Sequence, residues 1–190
     1  FPQRMNDLRF AIFGTDFWSR YQIAAWGELP GVSCVELYNR TVAKAEKLAR
    51  ELGVPALYQQ LEEFLQREKP DFVQLNYSIT ERETENRLLP MAADRGLAVL
   101  VNRPFMNGAY FRRLESTPLP EWTAEFGCTT WAQFSLKYIL AHPAVTCVLT
   151  ETTDPAHMAE NALAAIGGAP DEAARARMRE LIDGLDQGAR

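Results

Sequence analysis

The chain has 190 residues, 47% of them hydrophobic and 24% charged, with a formal charge of −5 at pH 7. That balance is ordinary for a globular α/β domain, and the scattered Lys and Arg form no basic stripe, so no nucleic-acid partner is expected. No apolar run reaches the ~18 residues that cross a bilayer and no signal-peptide pattern is seen, which leaves no membrane partner and an expected cytoplasmic setting. Cys34, Cys128 and Cys147 are odd in number and far apart, and fit neither a disulfide framework nor a metal knuckle. With only His142 and His157 in the chain, no metal site or Ser-His-Asp triad is expected.

Strands and helices alternate along the chain. "LRFAIFG" (8–14) reads as a strand buried on both faces and ending in a glycine turn. "DFWSRYQIAAWGEL" follows as a helix stopped by Pro30-Gly31, and "VSCVELYN" is a second strand. Thr41 is expected to cap "TVAKAEKLARELG", whose apolar stripe is Ala45, Leu48, Ala49 and Leu52 and whose end is Gly53. "PALY" is a short third strand, followed by a helix over "QLEEFLQREK".

"DFVQLNYS" is the fourth strand. Thr80 with Glu83 forms a capping box that predicts one helix over "TERETENRLLPMAADRG". "LAVLVNRP" is the fifth strand, followed by a loop and a long helix, "PEWTAEFGCTTWAQFSLKYILAH", whose Trp122, Phe126, Trp131, Phe134 and Tyr138 read as core. "AVTCVLT" is the sixth strand. Asp154-Pro155 opens a further helix, and a last amphipathic helix covers about 170–185. Six parallel strands with right-handed crossovers predict an α/β, Rossmann-like, doubly wound single sheet in the order 3-2-1-4-5-6. The whole chain, 1–190, reads as one domain.

Two families are resembled. "GTDFWSRYQIAAW", "LYNRTVAKAEKLARELGVPALY" and "REKPDFV" make residues 8–73 similar to the nucleotide-binding half of the glucose–fructose oxidoreductase and inositol dehydrogenase family. "DFVQLNYSITERETENRLLPMAADRGLAVLVNRPF", "WAQFSLKYILAHPAVTCVL" and "TTDPAHMAEN" make residues 71–185 resemble the C-terminal part of an aldo-keto reductase, a (β/α)8 barrel. The two resemblances meet at "DFV". This predicts a recombined, engineered chimera, with 1–73 from the first parent and 74–190 from the second. On that reading the first family's substrate domain and the second family's Asp, Tyr, Lys and His are missing. The expected function is a folded α/β chain without evolved catalysis, and no catalytic residue is nominated. The alternatives are an NAD(P)-binding module or an NAD(P)-dependent oxidoreductase of either family.

The candidate cofactor-binding residues are Gly14, Thr15, Asp16, Phe17, Trp18, Ser19, Asn39, Arg40, Asn76 and Arg103. Gly14 supplies the tight turn of a dinucleotide fingerprint, and Ser19 stands where a small residue lets helix and strand pack. Asp16 occupies the position that needs close backbone approach. An acid suits a helix N-terminus, but at ~5 Å from a phosphate it repels by ~3 kcal/mol at an effective dielectric of 20. Asn39 and Arg40 end the second strand, where the resemblance implies an adenosine-ribose site and where Arg40 with Thr41 would suit a 2′-phosphate. Asn76 ends the fourth strand. Arg103 lies in Asn102-Arg103-Pro104, where the first family has Glu-Lys-Pro. Guanidinium stays protonated, so it holds anions but is a poor proton donor. The aldo-keto resemblance implies a further phosphate grip at Thr152, Thr153, His157, Glu160 and Asn161, opposed by the charges of Glu151 and Asp154. These opposing charges predict no working cofactor, with NAD(P) held at most weakly, while an open sheet edge predicts self-association.

Asp16→Gly removes the repelling charge at a capping cost of a few tenths of a kcal/mol. Affinity for NADH or NADPH, followed by cofactor fluorescence, should rise roughly tenfold to a hundredfold. Equal affinity before and after the substitution would show that Asp16 points away from the phosphates.

Overall fold

A computed structural model describes residues 8–13, 17–39, 41–54, 56–58 and 70–187. The chain divides into two compact units, Phe1–Pro70 and Asp71–Arg190. In the first unit β1 (Leu8–Phe13), α1 (Phe17–Gly27), β2 (Val32–Tyr38), α2 (Val42–Leu52) and β3 (Ala56–Tyr58) follow one another. The three strands are parallel, and the two helices are the crossovers that parallel neighbours require. The β1–β2 register slips by one residue between Phe10 and Ala11, a bulge on the β2 side.

The core of this unit is small: Ile23, Leu37, Ala45, Leu48, Ala49 and Val54 are buried, with Phe10, Ile12, Cys34 and Leu52 packed beside them. Ala45, Leu48 and Ala49 are three of the four stripe residues read from the sequence, at the i, i+3, i+4 spacing that puts them on one helix face. Gly53 ends α2 at φ 68°, a left-handed cap whose N–H bonds Ala49 O. Thr41 occupies the N-cap position but its hydroxyl caps nothing, because Asn39 Oδ1 has taken the turn by accepting the Thr41 N–H at 2.7 Å. β1 was expected to be buried on both faces, yet Leu8 is exposed and Phe10 to Ile12 are half-buried. The helix expected at 60–69 lies outside the described residues.

The second unit contains β4 (Phe72–Asn76), α3 (Leu88–Asp94), β5 (Ala98–Asn102), α4 (Ala109–Leu114), α5 (Trp131–Leu140), β6 (Cys147–Val148), α6 (Pro155–Leu163) and α7 (Glu172–Gln187). β4, β5 and β6 are parallel neighbours in that order. Among the described residues, strand pairing forms two three-stranded sheets, β1-β2-β3 and β4-β5-β6, and the β1–β4 pairing that the expected single six-stranded sheet needs is not among the pairs. Within each sheet the neighbours are those that the doubly wound order assigns. Pattern and crossover rules decide such local neighbours, whereas the pairing of strands from different parts of the chain leaves no mark on local periodicity.

Two helices differ from expectation for reasons visible in the residues. The single helix over 80–96 is replaced by a 3₁₀ turn at Glu83–Asn86 and the shorter α3. Pro90 has no N–H to bond back and its ring excludes a carbonyl one turn earlier, so a helix can begin just before it but not run through it. Ser78, not Thr80, organises the preceding turn: its hydroxyl accepts the N–H groups of Thr80 and Glu81 at 3.3 and 2.9 Å. The helix over 120–142 breaks at Gly127, which is left-handed at φ 70°, between a 3₁₀ turn at Glu121–Phe126 and α5. Thr130 then caps α5 by accepting the Gln133 N–H.

α5 is buried all round, with every residue from Ala132 to Ile139 inside. Its polar members are each satisfied. Gln133 Oε1 accepts the Thr129 N–H at 2.9 Å, Ser135 Oγ donates to Pro104 O at 3.4 Å, and Lys137 Nζ donates to Ile166 O and Gly168 O at 2.7 and 3.1 Å. Trp122 and Trp131 lie edge-on to Phe134 at 6.1 and 5.2 Å, so these aromatics are core, as read from their spacing. Leu37 and Leu89 are fully buried in their respective units. Each Leu→Ala replacement should cost about 2–5 kcal/mol in denaturant unfolding, and a loss below 1 kcal/mol would contradict the packing described.

Candidate functional site

In the first unit α1 begins at Phe17, and Ser19 in its first turn is 5% exposed. A small buried residue here is what close packing of the helix on the sheet requires. Gly14, Thr15, Asp16 and Arg40 lie outside the described residues. Asn39 follows β2, half-buried, with its amide oxygen committed to the Thr41 N–H. The end of β2 thus carries a neutral amide where an acid would select ribose hydroxyls.

In the second unit Asn76 and Asn102 are register partners at the C-terminal ends of β4 and β5. Asn76 and Arg103 therefore come to the same sheet edge, the edge at which open α/β sheets take ligands. Asn102 Oδ1 is buried there without a hydrogen-bond partner among the described residues. Arg103, Met106 and Asn107 have φ of 55°, 49° and 54°, three non-glycine residues in the left-handed region within five positions. Each costs of order 1–3 kcal/mol, and such strain concentrates at functional loops. Sequence reasoning singled out Arg103 but missed Asn102, which reads as one more polar strand end.

Tyr138 reads as core, but the larger polar cluster it joins is not read from the sequence as a unit. Glu85 Oε1 accepts the hydroxyls of Tyr77 and Tyr138, the latter at 2.7 Å, and Arg175 Nη2 at 3.0 Å. Arg175 also donates to Tyr77 OH at 2.9 Å, Tyr138 O at 3.2 Å and Glu172 at 2.6 Å, with its side chain only 5% exposed. Arg82 Nη2 donates to both carboxylate oxygens of Asp183 at 2.9 Å on the same side. Of these groups Arg82, Glu85, Glu172, Arg175 and Asp183 border a cavity of about 800 Å³ that also meets Glu83, His142 and Arg179.

Burial alone would push the Glu85 carboxyl up, but the phenol hydrogen bonds and the Arg175 charge hold it below its ordinary value. Burial, followed by the bond to Glu85, pushes the Tyr77 hydroxyl well above the usual phenol range, and Tyr138 moves the same way. Burial and then Arg175 hold His142 below the normal imidazole value. Its Nδ1 accepts the Ala144 N–H at 3.2 Å, which leaves the proton of the neutral ring on Nε2. Carboxyl and phenols thus keep one charge state around neutrality, and the cluster fixes a charge pattern instead of passing protons.

Of the positions implied by the aldo-keto resemblance, Thr152 and Thr153 precede α6 and His157, Glu160 and Asn161 lie within it. Thr152 Oγ1 accepts the Asp154 N–H at 3.1 Å, and Asp154 caps Ala156 at 2.8 Å. His157 is exposed beside Asp154, and Gln133 donates to Glu160 O at 3.3 Å. The Asp154-Pro155 start is formed as read. Among the described residues, no group of three or more His, Cys, Asp or Glu could hold a metal ion, and no helix is long and apolar enough to cross a membrane.

Because Glu85 is lowered, its stabilising contribution is complete above the unfolded carboxyl value of 4.5 and is lost as pH falls through the lower folded value. Glu85→Gln should therefore cost on the order of 3 kcal/mol at pH 7 and flatten the acid limb of a stability–pH curve. An acid limb as steep as that of the unsubstituted chain would refute the assignment.

The comparisons bear on both resemblances. Residues 8–116 match the oxidoreductase family with the NAD-binding Rossmann fold. The NADH-specific methylglyoxal reductase of Escherichia coli K12 is 28% identical over 153 residues, covering 67% of this chain and 46% of that protein. The D-apiose dehydrogenase of Paraburkholderia graminis is 27% identical over 95 residues, covering 50% of this chain and 24% of that protein. The chain thus spans less than half the length of either relative. An aldo-keto reductase from Bacillus halodurans in its apo form superposes with a TM-score of 0.53 at 18% identity, covering 95% of this chain and 73% of that one. That likeness speaks to fold alone. The match over 8–116 takes in more than half of the 190 residues, and the chain belongs to the oxidoreductase family with the NAD-binding Rossmann fold.

Proposed function

We propose that this chain binds NAD(P) as the nucleotide-binding part of an oxidoreductase. The observation that carries the reading is the family match over 8–116, which begins on the β1–α1–β2 unit where a dinucleotide fold takes its cofactor. That membership removes the support for a chain without a cofactor. The match also runs past the seam expected at 71–73, so the recombined chain without evolved chemistry gains nothing from it.

The residues present fit the group in two respects. Ser19 is buried and small at the packing position of the first helix turn, and the polar end of β2 is neutral at Asn39. Gly14 and the amides at the start of α1 would hold the pyrophosphate, and Asn39 with Arg40 the adenosine ribose. When bound, the nicotinamide supplies the hydride. Arg103 is exposed and permanently charged, so it serves to hold an anion.

Titration with NADH and with NADPH, read by cofactor fluorescence, should show saturable binding. Arg40→Ala should weaken NADPH roughly tenfold, the loss of one charge-assisted contact, and leave NADH within about twofold. No saturable binding of either cofactor would overturn the proposal.

A further inference from the structure

α5 ends at Leu140, and the chain then turns through His142 and Pro143 into β6. Three hydrogen bonds on His142 shape that turn. Its own N–H donates to Ile139 O at 3.1 Å, its carbonyl accepts the Val145 N–H at 2.9 Å, and its ring Nδ1 accepts the Ala144 N–H at 3.2 Å. Pro143 has no N–H, so Ala144 carries the first donor past His142, and no backbone carbonyl among the described residues takes it. A ring nitrogen bonded to the N–H two positions on does what an Asn side chain does in an Asx turn. Beyond the turn the chain is laid on β5. The Thr146 N–H donates to Val99 O at 3.0 Å, Thr146 Oγ1 accepts the Val99 N–H at 3.0 Å, and the Leu149 N–H donates to Val101 O at 2.8 Å. β6 itself is two residues long, so its alignment depends on the turn that feeds it.

The ring lies where a further positive charge is unwelcome. His142 borders the cavity of about 800 Å³ and stands edge-on to Tyr77 at 5.9 Å. Sharing that cavity are Arg82, Glu83 and Glu85 from the stretch before α3, and Glu172, Arg175, Arg179, Glu180 and Asp183 from α7. The arginines have their partners: Arg82 holds Asp183, Arg175 holds Glu85 and Glu172, and Arg179 holds Glu172. Glu83 and Glu180 are exposed, where salt and water screen them. Burial and the Arg175 guanidinium outweigh the pull of Glu85 and Glu172, and the imidazole stays neutral to a lower pH than its ordinary 6.5. Among the described residues around the cavity, it is the one whose ordinary range falls near neutrality.

We propose that His142 is a proton-operated latch on the turn between α5 and β6. With the ring neutral, Nδ1 holds the Ala144 N–H and the turn is closed. A proton taken from water onto Nδ1 leaves hydrogen on both ring nitrogens, so the ring loses its acceptor and two N–H groups face each other. The turn then opens and β6 loosens from β5. Because the folded value is lowered, the closed turn is fully stabilised above 6.5 and loses that contribution as pH falls through the lower folded value.

The chain holds two histidines, so ring NMR separates them and His157→Gln assigns the pair. His142 should titrate below 6.5. Amide exchange, corrected for its intrinsic pH dependence, reads the turn. Protection at Ala144, Thr146 and Leu149 should fall roughly fivefold to tenfold once His142 is protonated, the loss of about one hydrogen bond. Protection at Val54 in the first unit should hold. His142→Asn offers Ala144 an acceptor that does not titrate and should keep the turn closed throughout, whereas His142→Ala should leave it open throughout; circular dichroism checks that each variant folds. Titration of His142 at or above 6.5 overturns the proposal. So does protection that ignores the titration, or the same acid loss in His142→Asn.

Discussion

A guanidinium removed from water must be met by acceptors in nearly every direction it points, and Arg175 imposes that demand on the second unit. Its side chain is 5% exposed and answers to Tyr77, Glu85, Tyr138 and Glu172. Tyr77 follows β4, Glu85 lies in the 3₁₀ turn before α3, Tyr138 is in α5 and Arg175 is in α7, so one charge fastens four parts of the chain. Tyr138 also lies beneath the guanidinium, 4.6 Å from ring centroid to carbon, which adds cation–π attraction to the hydrogen bonds. Around this polar centre Met178 and Ile182 of α7 complete the apolar core with Leu89, Val99 and Val101.

Such a cluster has a double character. Replacing all its members by apolar residues of like volume can be neutral, whereas removing one partner strands a charge in low dielectric. Its contribution is therefore one of arrangement: α7 docks in the register where every donor finds its acceptor, and a slip along the helix would leave several unmet. Arg177 over Trp122 at 4.1 Å and the Arg82–Asp183 pair fix the same register from outside the core.

The sequence displayed what local chemistry determines. Parallel neighbours within each sheet, the α2 stripe, the Gly53 stop and the Asp154-Pro155 start all depend on residues a few positions apart. The capping box at Thr80 misled because Pro90, ten residues on, overrides it, and the long aromatic helix misled because Gly127 breaks a pattern that periodicity alone carries through. Asn76 and Arg103 could be assigned to strand ends from the alternation of elements. Asn102 could not be told from its neighbours, since an orphaned acceptor is defined by what surrounds it in space. Tyr77 and Arg175 are 98 positions apart, and an arginine in an amphipathic helix reads as a solvated charge until the fold encloses it.

Lys137 has a consequence for how this sequence can change. The residue is 3% exposed, and its ammonium is held by the carbonyls of Ile166 and Gly168 across the turn that follows α6. A drift to leucine at 137 would suit the apolar surroundings of α5 yet leave those carbonyls without their donor, and a reshaped turn would leave the ammonium without its acceptors. The two places are thus tied, and substitutions are admissible only as a pair. Among descendants of this chain, residue 137 and the turn thirty positions later should record one shared history.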